Sequence, residues 1–168
     1  MLARLLNHRQ ALRIALGTLA LALLAAGLLA HASTARRRAP ALPSRTISGP
    51  PTTLGELHGR AAAVVFWASW CADCHAEASA VERFARSSAG RGRILTVDYS
   101  DGGNWRAFVR RYGWSLPVFA DPNGALGDAF EIRSLPTTVF LDPEGRIASI
   151  SAARQTVSSL ARGLSAAA

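Results

Sequence analysis

Lysine is absent from this 168-residue chain, and all nineteen basic residues are arginine. Methionine occurs once, at Met1, and cysteine twice, at Cys71 and Cys74. No acidic residue precedes Glu56. Each scarcity narrows the field. Two cysteines exclude a disulfide-laced scaffold and leave a zinc site short of ligands even with His58 and His75, so no metal is expected. With no internal methionine, a haem iron would lack a Met axial partner. The exclusive use of arginine reads as genomic composition. The missing acids leave seven arginines unbalanced in residues 1–45, whereas the other twelve face eleven Asp and Glu. The net charge of +8 therefore belongs to the N-terminal segment, and the rest is close to neutral. No basic face with interleaved aromatics appears, so nucleic acid is not an expected partner. With 49% of residues apolar, the chain can bury the core of one ordinary domain plus an extension.

Residues 14–30, IALGTLALALLAAGLLA, run without a charge behind Arg4, Arg9 and Arg13. This is the pattern of an export signal or of a membrane anchor. The run sits at the short limit of a spanning helix and beyond the usual core of a signal peptide. Ala30-His31-Ala32 fits a small-x-small cleavage site, while Arg36, Arg37 and Arg38 close behind oppose it. A buried helix of the domain would need a polar face, which the run lacks. Residues 1–32 are read as a signal or anchor, uncleaved in preference to cleaved. The domain then faces outside the cytoplasm, held at the cell membrane through residues 14–30, or periplasmic or secreted if the signal is removed. No cysteine adjoins the run, which argues against a lipoprotein anchor. Residues 33–52 carry Pro40, Pro43, Pro50 and Pro51 and read as an extended linker, leaving 53–168 for the domain.

Within the domain, 53–59 suggests a helical turn and 61–67 (AAAVVFW) a strand buried on both faces. A helix is expected over 71–87, with Ala78, Val81, Phe84 and Ala85 on its apolar face. A second buried strand comes next, at 94–98. A helix at 104–112 turns Trp105, Phe108 and Val109 inward. Residues 116–119 contain Pro117 and read as an extended piece rather than a central strand. A short helix at 125–130, strands at 137–141 and 147–151 joined by Asp142-Pro143-Glu144-Gly145, and a helix at 155–164 complete the chain. Alternating strands and helices closing on a hairpin indicate an α/β domain with a mixed sheet.

The two cysteines stand as Cys71-Ala72-Asp73-Cys74, after a strand and at the start of a helix. Unpaired backbone N–H groups and the helix dipole favour a thiolate there. Cys71 would attack a substrate disulfide and Cys74 would resolve the mixed disulfide. Three other readings stand beside this one. A structural disulfide gains little chain entropy in so tight a ring. Zinc lacks ligands. Cys71-x-x-Cys74-His75 is also the attachment motif of c-type haem, with His58 as a conceivable second axial ligand. A peroxiredoxin-like peroxidase would need a Pro-x-x-x-Thr-x-x-Cys loop, and none surrounds Cys71.

Residues 66–74, FWASWCADC, resemble the active-site segment of the thioredoxin superfamily in its TlpA- and ResA-like branch. A second signature, Ile132-Arg133-Ser134-Leu135-Pro136-Thr137 followed by TVFLDPEGRI, is similar to the cis-proline segment of the same superfamily. The resemblance covers residues 53–150 and implies a thioredoxin fold, with the hydrophobic N-terminal helix added in front. It implies that Pro136 is cis beside the cysteines and that the Leu135 backbone pairs with an incoming substrate strand. Trp70 and Leu135, with Trp114, would form an apolar landing surface. Cytoplasmic thioredoxins place a buried Asp six residues before the first cysteine, where this chain has Val65. The branch instead carries a Glu three residues after the second cysteine, and Glu77 would then be the proton carrier for Cys74. A solvated surface Glu is the competing reading. Where the branch has a helix-kinking proline, this chain has Ser79.

No basic residue separates the cysteines, so a strongly stabilised thiolate, as an oxidant needs, is not expected. The chain reads as a disulfide reductase or poised exchanger working without a cofactor beyond its own Cys71–Cys74 pair. The resemblance points the same way, toward protein disulfides outside the cytoplasm such as those met in cytochrome c biogenesis, with a membrane electron donor recharging the dithiol. A thiol oxidase or isomerase of the same fold is the alternative.

Overall fold

The computed structural model describes residues 13–22, 36–102 and 104–168, and the chain divides into two units, 1–36 and 37–168. In the first unit residues 13–22 are helical (α1). The remainder of the apolar run at 14–30 lies outside the described residues. Among the described residues no helix is long and apolar enough to cross a membrane.

The second unit is built on strand β1 (Ala62–Trp67), all six residues of which are buried. A strand buried on both faces has no use for polar side chains, which is why the run is continuously apolar rather than alternating. A 3-10 turn at Leu54–Leu57 leads into it. The chain then forms α2 (Ala72–Arg86), β2 (Ile94–Tyr99), α3 (Trp105–Tyr112), β3 (Val118–Asp121), α4 (Ala125–Ala129), β4 (Thr137–Leu141), β5 (Ile147–Ser151) and α5 (Val157–Ala167). The five strands lie in the order β3-β2-β1-β4-β5. β1, β2 and β3 are parallel, while β4 runs antiparallel to β1 and pairs with β5 as a hairpin. This is the α/β arrangement with a mixed sheet that the pattern of elements implied.

Period-two alternation divides β1 between two cores. Ala63, Val65 and Trp67 face α2, α3 and α5, meeting Ala78, Val81, Phe84, Phe108, Leu160 and Leu164. Ala62, Val64 and Phe66 face the opposite side, with Leu57, Phe119 and Phe130. The expected inward set on α2 (Ala78, Val81, Phe84 and Ala85) is buried. On α3 only Phe108 is fully buried, with Trp105 and Val109 packed at the margin. The segment at 116–119 is extended and not a central strand: Pro117 precedes β3, which pairs in parallel with β2 at the sheet edge. Proline is compatible with that position because it contributes only its carbonyl, which accepts the Thr96 N–H at 3.0 Å, and needs no N–H of its own on an edge strand.

Residues 37–48, part of the stretch read as a linker, are paired to the sheet. The Arg37 carbonyl accepts from Ile147 N–H (2.8 Å), and Ala39 N–H donates to Gly145 (3.0 Å). Ile47 N–H donates to the Val118 carbonyl (2.7 Å), and Val118 N–H donates to Ser48 (2.9 Å). The segment thus meets both edge strands, and Ala39 and Leu42 pack on the second core. Proline and arginine content gave no sign of this, because the pairing uses backbone groups of edge strands that would otherwise stay open.

Helix α5 lies against β4, where Gly163 faces the Phe140 ring so closely that an added Cβ would collide with it. On a free helix surface Gly→Ala stabilises by roughly 1 kcal/mol. Here overpacking dominates, and Gly163→Ala is expected to destabilise by about 1–3 kcal/mol in equilibrium urea unfolding.

Candidate active site

The parallel strands end together, and the cysteines lie at that end. β1 finishes at Trp67, and four residues later Cys71 becomes the N-cap of α2. Its Sγ accepts the Cys74 N–H at 3.1 Å, so the sulfur occupies the place a capping oxygen usually takes. A thiolate formed there meets open backbone N–H groups and the positive end of the helix dipole. Cys71 and Cys74 are joined as a disulfide, with Cα atoms 5.2 Å apart. Cys71 retains 7% exposure against 1% for Cys74, so an incoming sulfur reaches Cys71 first.

Pro136 arrives from the neighbouring strand. Phe66 pairs with Thr137 in the antiparallel β1–β4 ladder, so Pro136 falls opposite Trp67 at the same sheet end. The Leu135–Pro136 peptide bond is cis. Trp70 stands 62% exposed beside the disulfide, its indole N–H donating to the Ser100 carbonyl at 3.2 Å. Leu135 is half-buried. Trp114 does not join this surface. It is buried in the core, donates its indole N–H to the Ala78 carbonyl (3.0 Å), and packs edge-on against Trp67 and Phe108. The landing surface expected from sequence therefore reduces to Trp70 and Leu135.

Glu77 is 2% exposed, not a solvated surface group. It occupies the buried face of α2 one turn beyond Cys74, a spacing that makes the two side chains neighbours. Its Oε2 accepts the Gln155 N–H at 2.6 Å. Burial pushes its acid up to about 7, opposed by that hydrogen bond and aided by Asp73. Such a carboxyl holds or gives up a proton near neutrality, as a thiol partner requires. Asp73 is exposed and pairs loosely with Arg154 at 3.7 Å, which offsets its repulsion of a nearby thiolate.

The sequence reading missed a set of tethers on the loop before Cys71. His75 contacts the Ser69 carbonyl through Nε2 and the Tyr112 hydroxyl through Nδ1, both at 2.8 Å, and lies against the Phe108 ring. Ser69 also donates its N–H to Asp101 (3.1 Å) and its hydroxyl to the same carboxyl. The only sequence sign of these roles was a pair of acids, Asp98 near the end of β2 and Asp101 just beyond it. The residues do not fit a c-type haem: Cys74 is buried, and both ring nitrogens of His75 are engaged. Among the described residues no cluster of His, Cys, Asp or Glu suits a metal ion.

The profile of the AhpC/TSA family matches residues 35–150, more than half of the chain. The chain belongs to that family. It is similar to the thioredoxin-like protein YneN of Bacillus subtilis, with 30% identity over 118 residues, 68% of this chain and 69% of that protein. The thiol-disulfide oxidoreductase ResA of Oceanobacillus iheyensis is 29% identical over 109 residues, 64% of this chain and 57% of that protein. A thiol:disulfide interchange protein of Chlorobium tepidum superposes with a TM-score of 0.69 at 22% identity, covering 80% of this chain and 97% of that one. That likeness establishes the thioredoxin fold. With the Cys71–Cys74 pair in place, this member of the family is by class a thiol–disulfide oxidoreductase.

The burial of Glu77 has a measurable consequence. Its folded-state affinity for a proton exceeds that of the unfolded chain, so its contribution to stability is full below about pH 4.5 and is lost as pH rises through about 7. Ionising it in place costs of order 3 kcal/mol. In the oxidised protein, Glu77→Gln should gain stability over wild type by roughly that amount between pH 5 and 8 in urea unfolding. Parallel pH profiles for the two proteins would show that Glu77 is not desolvated.

Proposed function

We propose that this protein is a disulfide reductase acting outside the cytoplasm on protein disulfides, through Cys71 as nucleophile, Cys74 as resolving thiol and Glu77 as proton carrier. The observation that carries the reading is the asymmetry of the dithiol: Cys71 caps the helix and keeps 7% exposure, whereas Cys74 is 1% exposed and stands one helical turn before Glu77, a carboxyl that burial raises to about 7. The Cys71 thiolate attacks one sulfur of a substrate disulfide, forming a mixed disulfide and expelling a thiolate. Glu77 takes the Cys74 proton, and the Cys74 thiolate then attacks Cys71 Sγ. The second substrate sulfur leaves reduced, and two electrons have passed from dithiol to substrate. No bound cofactor enters these steps. Trp70 and the Leu135–Pro136 edge are the surface on which the substrate strand lies.

Direction and location rest on separate supports. No basic residue lies between the cysteines to stabilise the thiolate as an oxidant needs, and Asp73, paired with Arg154, adds no cation of its own. Relatives of 27% identity include a soluble secreted antigen, MPT53, of Mycobacterium tuberculosis. The apolar run at 14–30 behind three arginines suits an anchor or signal that exports residues 37–168. A membrane donor would then recharge the dithiol, and apocytochrome c before haem attachment is a substrate of suitable chemistry.

Equilibration with dithiothreitol should place the Cys71–Cys74 couple near about −270 mV, as for thioredoxin. A value near about −120 mV would instead make the protein an oxidant of exported thiols. In an insulin-reduction assay, Cys71→Ser should abolish turnover, while Cys74→Ser should accumulate the mixed disulfide on Cys71. Unchanged turnover in Cys71→Ser would refute the mechanism.

A further inference from the structure

The acids behind the active-site loop take no part in the exchange steps, yet their geometry is specific. Asp98 closes β2 opposite Trp67 and is 5% exposed. Its position falls on the side of the sheet that carries Val65 and Trp67, because Ile94 two turns of the pleat earlier packs there. Its Oδ1 is buried without a hydrogen-bond partner, and its carboxyl is hydrogen-bonded to that of Asp101. Asp101, equally buried, accepts the N–H and the hydroxyl of Ser69, two residues ahead of Cys71.

Two carboxyl groups hydrogen-bond to each other only with a proton between them. Asp101 already accepts twice from Ser69, so it is the acceptor and Asp98 carries the proton. We propose that Asp98, held as a neutral buried acid, and Asp101, its carboxylate partner, are positioning residues that clamp Ser69 and thereby set the loop that presents Cys71. Burial, the bond to Asp101 and the charges of Asp101 and Asp121 push Asp98 up to about 8.

The charged groups around the clamp are few. From β3, Asp121 spends its oxygens on the N–H groups of Leu126 and Gly127. From α2, His75 meets the Ser69 carbonyl, and from α3 Arg111 lines an open pocket with Ser69 and His75. None of these supplies a cation bonded to Asp98. As pH rises through the Asp98 titration the proton between the carboxyls is lost, two negative charges then face each other, and the Ser69 anchor shifts. The predicted dependence is full clamping below neutrality and release on the alkaline side.

The clamp concerns the same site as the proposed reductase activity, but it is tested without turnover. In the oxidised protein neither cysteine titrates, so the Ser69 amide proton can be followed by NMR from about pH 6 to about pH 10. Wild type should show a step near about pH 8, Asp98→Asn none, and Asp101→Asn a step displaced to lower pH because the acceptor charge is gone. The rate of disulfide reduction by dithiothreitol supplies a second readout, since the reagent's own titration cancels in a ratio. The ratio of Asp98→Asn to wild type should stay flat below about pH 7 and rise at least about threefold by about pH 9. A Ser69 signal flat across the range in wild type, a step that survives in Asp98→Asn, or a constant rate ratio would each overturn the clamp. The wild-type and Asp101→Asn titrations decide the matter even if Asp98→Asn does not fold.

Discussion

Strand β1 is hydrogen-bonded on both sides and buried on both faces, and every feature of the site takes its position from it. Its ladder with β2 brings Asp98 level with Trp67, and its ladder with β4 brings Pro136 to the same end. Beyond Trp67 the chain has only Ala68 to Trp70 in which to leave the sheet and enter α2. That short passage points the open N–H groups of the helix at Cys71. Displacing β1 by one residue would exchange the two cores, so its register is strongly specified. The rigidity of the sheet is what allows a small dithiol to be presented with one sulfur at the surface and the other beneath it.

Burial shapes the chemistry on both flanks of the disulfide. Glu77 lies in the face of α2 that packs on the first core, and Asp98 lies at the end of β2; in each, desolvation is the first cause of a raised acid. Their surroundings then separate their roles. Glu77 accepts a backbone N–H from Gln155, which holds it near neutrality where it can exchange a proton with a thiol. Asp98 faces two other acids, Asp101 and Asp121, which with burial push its acid higher, up to about 8. Val65, where cytoplasmic thioredoxins have a buried acid, is fully buried and apolar, and the buried acid one turn from Cys74 is Glu77, supplied from α2 instead of β1.

Around this centre the remaining structure limits exposure. An aromatic group of Trp67, Phe108, Trp114 and Tyr112, with His75 against it, joins α2 to α3 beneath the loop. Residues 37–48 pair with both edge strands, covering backbone groups that would otherwise be open to another chain. The large apolar side chain left at the site is Trp70, and an exposed aromatic beside a reactive sulfur is the feature a partner strand can use.

The sequence by itself determined the local elements and the place of the cysteine pair. Continuous apolar runs marked β1 and β2, helical spacing marked α2, and the Asp142 to Gly145 turn marked the β4–β5 hairpin, because these signals lie within a few neighbouring residues. The cysteine spacing and the segment ending in Pro136 located the dithiol for the same reason. The features that only the tertiary structure decided depend on residues distant in the chain. Whether Glu77 faces solvent or core turns on α5 and the backbone of Gln155, seventy-eight positions away. Trp114 is a core residue because Ala78 and Phe108 surround it, and Pro117 borders a strand because β2 pairs with Val118 to Asp121. The docking of residues 37–48 and the Asp98–Asp101–Ser69 contacts likewise arise from strand pairing. Composition carries periodicity and spacing, but desolvation and hydrogen-bond partners exist only once the strands have met.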